Sequence, residues 1–335
     1  MFIEDIKNPF EDNGVTTLRL KTPTKTIEGL FRAFNGPEIR TWKTHHNNSM
    51  NLTSPIVEFT GTPVASDVER LKRQGVIVKY FPQINMPFSL DLSKAVIRNQ
   101  LDYGFQVIGV PDYNENFMEF SRKLDDIPDV LEQHPNGNLC SVMPYIRSNH
   151  DPKIFEKRLF DILERGYNMI GIEIHGTDKI NLEYQKEILK RRNSDFWVHA
   201  SNTRRKFDNI SRASHPHILT YLGIHTYTLK EAKPTFFKGL KAENTEHFDS
   251  QSLGIIEWID LPSIFGADCV CKYHSHGGHY YTDDSRELMS RARIHEMVNG
   301  PMELKRAETT IKEAMFDRYI RSKACAVKAL FKANH

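Results

Sequence analysis

At 335 residues the chain is long enough for one large α/β barrel or for two smaller domains. With 39% hydrophobic and 26% charged residues and a formal net charge of +2, it lacks the global basicity of a dedicated nucleic-acid binder, so any polyanion contact must come from local clusters. Cys140, Cys269, Cys271 and Cys325 contain no C-x-x-C pair, the N-terminus MFIEDIKNPFED has no apolar signal core, and no run reaches transmembrane length; these features argue for a reduced, cytoplasmic protein with no membrane partner.

Residues 1–50 are polar and irregular and read as an N-terminal extension. After them a strand–helix rhythm begins. Pro55 to Thr60 (PIVEFT) predicts a strand, Ser66 to Gln74 a helix ended by Gly75, and Val76 to Phe81 (VIVKYF) a second strand. Leu90 to Tyr103 has apolar positions at near-helical spacing, and Phe105 to Val110 (FQVIGV) is the third strand. Phe117 to Gln133 reads as a helix interrupted by Pro128, followed by a strand at Leu139 to Ile146 and an amphipathic helix at Pro152 to Arg165. Asn168 to Ile174 (NMIGIEI) and Phe196 to Ser201 (FWVHAS) are strands five and six, with a helix at Asn181 to Arg192 between them. A seventh strand is expected around Ile218 to Ile224, a helix at Ser252 to Phe265, and an eighth strand at Ala267 to Lys272. Strands alternating with helices imply parallel pairing, and eight such units imply a closed (β/α)8 barrel. A doubly wound open sheet is the alternative, but no glycine-rich phosphate turn supports it. The expected organisation is an extension over 1–50, a barrel over 51–285, and a helical segment over 286–335 packed on the barrel.

In such a barrel the chemistry gathers at the C-terminal ends of the strands. That rule selects Asp112 and Tyr113 after the third strand, and Tyr145 and Arg147 at the fourth. It also selects Glu173 and His175 at the fifth, His199 at the sixth, and Asp268 at the expected eighth. Two aspartates at one barrel mouth suit a covalent displacement, with one carboxylate attacking carbon and the other moving protons. The competing reading makes Asp112 a turn residue of PDYN and Asp268 a cap or ion-pair residue. Basic residues cluster around Lys186 to Arg192, around Arg204, Arg205 and Lys206, and again beyond Arg286; most such runs are solvated helix faces.

The run Asp268-Cys269-Val270, with its histidine- and glycine-containing sequel, resembles the segment around the nucleophilic aspartate of the tRNA-guanine transglycosylase superfamily. Pro55 to Pro63 (PIVEFTGTP) is similar to the family's first strand, FQVIGVPDYN to the strand carrying its general-base aspartate, and Gly171 to Gly176 to the strand contacting the bound base. The glycine platform beside the family's base and its C-x-C-x-x-C zinc motif are absent. The branch that inserts 7-deazaguanines into DNA (the DpdA family) fits these departures better. The resemblance implies that Asp268 is the nucleophile and Asp112 the base. It also implies that Tyr113, Tyr145, Gly171, Glu173, His175 and His199 line the substrate pocket, and that Arg147, Arg204 and Arg205 hold phosphates. The implied partners are DNA, or tRNA in the alternative, and a preQ0-type base, with no redox cofactor and no catalytic metal required.

Three other readings compete with that one. A metal-dependent barrel hydrolase would use His274, His276 and His279, because three protein ligands and an open position make a catalytic zinc site. A structural zinc would pin the C-terminal helices through Cys271 and histidines including His295. A noncatalytic polyanion-binding barrel is the third.

Overall fold

The structure is a computed structural model. It describes residues 2–47, 49–83, 86–176, 179–191, 195–231, 246–257 and 285–331. Eight parallel strands close into a barrel: β1 (Phe31–Asn35), β2 (Ile56–Phe59), β3 (Ile77–Tyr80), β4 (Val107–Val110), β5 (Ser141–Arg147), β6 (Met169–Glu173), β7 (Trp197–Thr203) and β8 (Thr226–Leu229). The register runs from Phe31 through Thr226, His199 and Gly171 to Tyr145 one way round. From Asn35, four residues along, it runs the other way through Glu58, Lys79 and Val107 to Ser141, four residues short of Tyr145. One circuit is therefore displaced by eight residues, the stagger of a (β/α)8 barrel.

Helices follow the strands in the expected order. They are α1 (Gly36–His45), α2 (Ala65–Arg73), α3 (Leu90–Asp102), α4 (Phe117–Asp125), α5 (Ile127–Glu132), α6 (Pro152–Glu164), α7 (Lys179–Lys190), α8 (His215–Tyr221) and the long α9 (Ser285–Lys312). The short α10 (Phe316–Arg321) and α11 (Ala324–Leu330) finish the described chain. Local chemistry fixes several starts. Asn35 and Asn116 cap α1 and α4 in reciprocal boxes with Glu38 and Glu119, and Asp151 caps α6 ahead of Pro152. Pro128 separates α4 from α5, as its position predicts.

Four expectations are corrected. The first barrel strand is Phe31–Asn35, inside the segment read as an extension, so the six strands read from 55 to 201 are β2 to β7. Residues 218–221 are helical, in α8, and the last strand comes afterwards at Thr226–Leu229. Because β8 pairs directly with β1, the ring closes without Ala267–Lys272. That segment, with Asp268, lies outside the described residues. The expected helix at Ser252 to Phe265 begins instead as a strand, Gly254–Glu257, paired antiparallel with Glu246–Asp249; β-branched Ile255 and Ile256 favour the extended form.

The alternation of strand residues splits the core in two. Val57, Val78, Ile108, Ile146, Ile170 and Val198 face the helices. Ala33, Ile56, Ile77, Val107, Met143, Met169 and Trp197 face inward, joined by Ile6, Leu18 and Leu20 of the N-terminal segment. That segment forms a three-stranded antiparallel sheet (Asp5–Lys7, Leu18–Lys21, Thr26–Gly29). Ile3 N–H donates to Ser141 Oγ at 2.8 Å and Phe196 N–H to Asn8 Oδ1 at 3.0 Å, at the starts of β5 and β7. The sheet therefore plugs the bottom of the barrel, the end opposite the mouth. No helix among the described residues is long and apolar enough to cross a membrane.

Candidate functional site

The barrel interior is charged beneath its mouth. Glu58 on β2 and Lys79 on β3 are register partners with both side chains fully enclosed, and they form an ion pair. Lys79 Nζ also donates to Tyr145 Oη at 2.6 Å. Glu58 Oε2 collects Ser201 Oγ at 2.7 Å, His199 Nε2 at 3.0 Å and Tyr145 Oη at 3.2 Å, whereas its Oε1 has no hydrogen-bond partner. On the far side of the imidazole, Trp197 Nε1–H donates to Thr226 Oγ1 at 2.6 Å, and that hydroxyl lies 2.7 Å from His199 Nδ1. The ionised Glu58 carboxylate can only accept, which assigns the His199 proton to Nε2 and leaves Nδ1 to accept from Thr226. Burial alone would raise the Glu58 carboxyl, but Lys79 and His199 outweigh it and hold it well below the usual carboxylate range. Burial, reinforced by Lys79, lowers His199 to about 4, so its ring is neutral at physiological pH. Burial likewise pulls the Lys79 amine down, against Glu58.

The Tyr145 ring closes this layer, and two glycines make room for it. A Cβ on Gly171 would stand 2.4 Å from Tyr145 Cε1, and one on Gly109 3.1 Å from Cε2. Phe81 packs beside the ring, with centroids 4.7 Å apart. Tyr145, Gly171 and His199, expected at the substrate, thus spend their contacts inside the barrel. The space over Gly171, expected to hold a bound base, is filled by the tyrosine.

Above that layer the residues expected on β4 to β6 do converge. Glu173 ends β6, where its Oε2 meets Arg147 Nε at 3.2 Å and its Oε1 lies 3.1 Å from His175 Nε2. The second approach has ion-pair distance without hydrogen-bond alignment. Ser148 stitches the two loops together: its N–H donates to Glu173 O at 2.9 Å, and its Oγ accepts from His175 N–H at 2.8 Å. The His175 side chain is about a third exposed (36%), the most open group of the set.

Asp112, just beyond β4, is different. Its carboxylate is enclosed and hydrogen-bonds His150 Nε2 at 2.7 Å, Asn114 N–H at 2.8 Å and Arg147 N–H at 3.1 Å, while Arg158 Nη1 lies 2.6 Å away at ion-pair distance without hydrogen-bond alignment. Burial would raise this carboxyl, but the His150 hydrogen bond and the Arg158 charge hold it well below its ordinary value. A general base works best with a value near the operating pH. The geometry therefore suits a carboxylate that positions the Arg147–His150 loop rather than one that accepts protons. Tyr113 packs inward against Phe88, and burial pushes its hydroxyl up to about 12.

A polar bridge crosses the mouth. Gln83 follows β3 and Asn202 lies on β7, on opposite sides of the ring, and Gln83 Nε2 donates to Asn202 Oδ1 at 2.8 Å. A register shift between Ala200 and Thr203 and a left-handed backbone at Asn202 (φ 64°) turn that side chain inward. Arg147, Glu173 and His175 lie on the β4–β6 side of this bridge. Of the expected phosphate-binding arginines, Arg205 is paired with Glu296 at 2.7 Å and Arg147 with Glu173. Arg204 is exposed and pairs with no described residue.

No group of three or more His, Cys, Asp or Glu side chains among the described residues could hold a metal ion. His274, His276, His279 and Cys271 lie outside the described residues. His295 is enclosed, with Nε2 2.7 Å from Phe248 O. The sequence reading missed Glu58, Lys79, His150 and Arg158. The first two carried a signal, since each is a lone charge at an inward position of an otherwise apolar strand run (PIVEFT, VIVKYF).

Fold and mouth together define a closed (β/α)8 barrel protein with a charged interior and an acid–histidine–arginine group at its C-terminal face. No protein-family model matches the chain, and no curated protein matches it in sequence.

Proposed function

We propose that the chain is a base-exchange enzyme that replaces guanine in DNA with a 7-deazaguanine of the preQ0 type through a covalent aspartyl–sugar intermediate, with tRNA as the alternative polymer. The observation that carries the proposal is chain order. β8 ends at Leu229 and α9 begins at Ser285, so Asp268 belongs to the connection after the last barrel strand. Connections of that kind supply catalytic groups in (β/α)8 enzymes. The Asp268 carboxylate attacks the anomeric carbon and expels guanine; the incoming base then displaces the carboxylate. A paired base must leave its stack to be reached, at a cost of a few kcal/mol. Exposed Arg204 on the rim supports phosphate contact, and binding should weaken with salt.

Incubation with labelled guanine or preQ0 and either DNA or tRNA tests the proposal, with incorporation into DNA the expected result. Asp268→Ala should abolish both exchange and covalent trapping on the polymer. Exchange that survives in this variant removes the aspartyl mechanism, and label in neither polymer removes the base-exchange reading altogether.

A further inference from the structure

We infer that His175, oriented by Glu173, is the proton-transferring catalytic residue of this mouth, and that Asp112 is a positioning residue. The inference rests on the base-exchange reading and deepens it.

Base exchange needs one proton delivered and one removed. The departing base leaves with the electron pair of its bond to C1′ and must be protonated; the incoming base must lose its ring N–H proton to form the new bond. Asp112 is poorly suited, because Arg158 forms an ion pair with its carboxylate while His150 and two backbone N–H groups hydrogen-bond to it. Glu58 and His199 are sealed under Tyr145 and Phe81. Among the described strand-end groups chosen from the sequence, only His175 is both titratable and partly open. Glu173 is held by Arg147 on one oxygen and offers the other to His175, and the Ser148 hydroxyl pins the His175 backbone. A carboxylate behind one imidazole nitrogen leaves the other nitrogen to face a substrate, the arrangement of acid–base dyads. The 3.1 Å contact lacks hydrogen-bond alignment, and such contacts commonly tighten only when substrate is bound.

Protons balance over the cycle. Protonated His175 gives its proton to the leaving base as the C1′–N bond breaks and the C1′–O bond to the nucleophilic carboxylate forms. Neutral His175 then takes the proton of the incoming base as the new C1′–N bond forms and the C1′–O pair returns to the carboxylate. Asp112 acts at one remove: it fixes the Arg147 backbone, whose side chain fixes Glu173.

The test measures labelled-base exchange against pH for the wild type, His175→Ala, His175→Gln and Glu173→Gln, with circular dichroism and thermal midpoints as folding checks. Removal of the imidazole should lower kcat about 10²–10⁴-fold with a small change in KM, and should erase the limb of the pH profile that reports a histidine. Added imidazole should restore part of the His175→Ala rate. Glu173→Gln should displace that limb and lower kcat less. A wild type that exchanges while folded His175→Ala keeps the same rate and profile overturns the role of His175 alone. A wild type that exchanges no base overturns the parent reading, and this role falls with it.

Discussion

Replacing Lys79 with methionine strips the cation from the pair at the middle of the barrel. Both partners are fully enclosed, so Glu58 is left as a buried carboxylate without its counter-charge. Removing one member of a buried pair costs about 3–5 kcal/mol. Ser201 at 2.7 Å, His199 at 3.0 Å and Tyr145 at 3.2 Å still surround Glu58 Oε2, which puts the expected loss near the lower end, about 3 kcal/mol. That is a large part of a typical total of about 5–15 kcal/mol. Urea unfolding followed by circular dichroism at pH 7 and pH 5 reads it. In the wild type the folded-state value of Glu58 lies below the unfolded one, so its contribution is complete above the unfolded value and is lost only as pH falls towards the folded one. In Lys79→Met burial pushes that carboxyl upward instead, so protonation relieves the folded variant and its deficit should narrow at pH 5. The double variant Glu58→Gln/Lys79→Met should recover most of the loss. A deficit under about 1 kcal/mol, the range of an exposed pair, or one equal at both pH values, would refute the argument.

Gly171→Ala should lower the melting temperature, because the new methyl meets the Tyr145 ring at 2.4 Å and overpacking costs about 1–3 kcal/mol; Gly61→Ala, with open space around its Cβ, is the neutral control. Mild acid should destabilise the protein steeply. Burial lowers His199 and His217 to about 4 and His215 to about 3, so all three fold neutral, and their stability is lost as pH falls from about 6.5 towards those values. Three protons at about 1.4 kcal/mol per pH unit each predict a slope near 4 kcal/mol per unit around pH 5, and a flat profile from pH 7 to 5 would contradict their enclosure. Asp112→Asn leaves Arg158 without its anion and should cost about 3 kcal/mol, with faster amide exchange at Arg147 and Ser148. Unchanged stability would return Asp112 to the role of free base.

The sequence carried the barrel because β2 to β7 are short apolar runs bounded by helices, a pattern with few other solutions. It hid β1 because Arg32 interrupts FRAFN; that arginine is buried against Glu38, six residues on, and Glu296, 3.9 Å away. It misread HPHILTYLGI because a short apolar run fits a buried helix as well as a strand, and here Ser214 and Pro216 lead into α8. Asp112 was legible as a strand-end acid, but its character comes from His150 and Arg158, which only the fold brings to it. The same limit applies to Glu173 and His175. Their two-residue spacing was visible, yet what separates them from Asp112 is the company each keeps: one acid enclosed by three hydrogen-bond partners and an arginine, the other with an oxygen facing a partly open imidazole. Two strand-end acids picked by one sequence rule therefore keep different company: Glu173 stands behind His175, and Asp112 holds the Arg147–His150 loop. The difference lies in what surrounds each carboxylate, and on the proposed base-exchange reading it is the imidazole beside Glu173 that is left open to move protons.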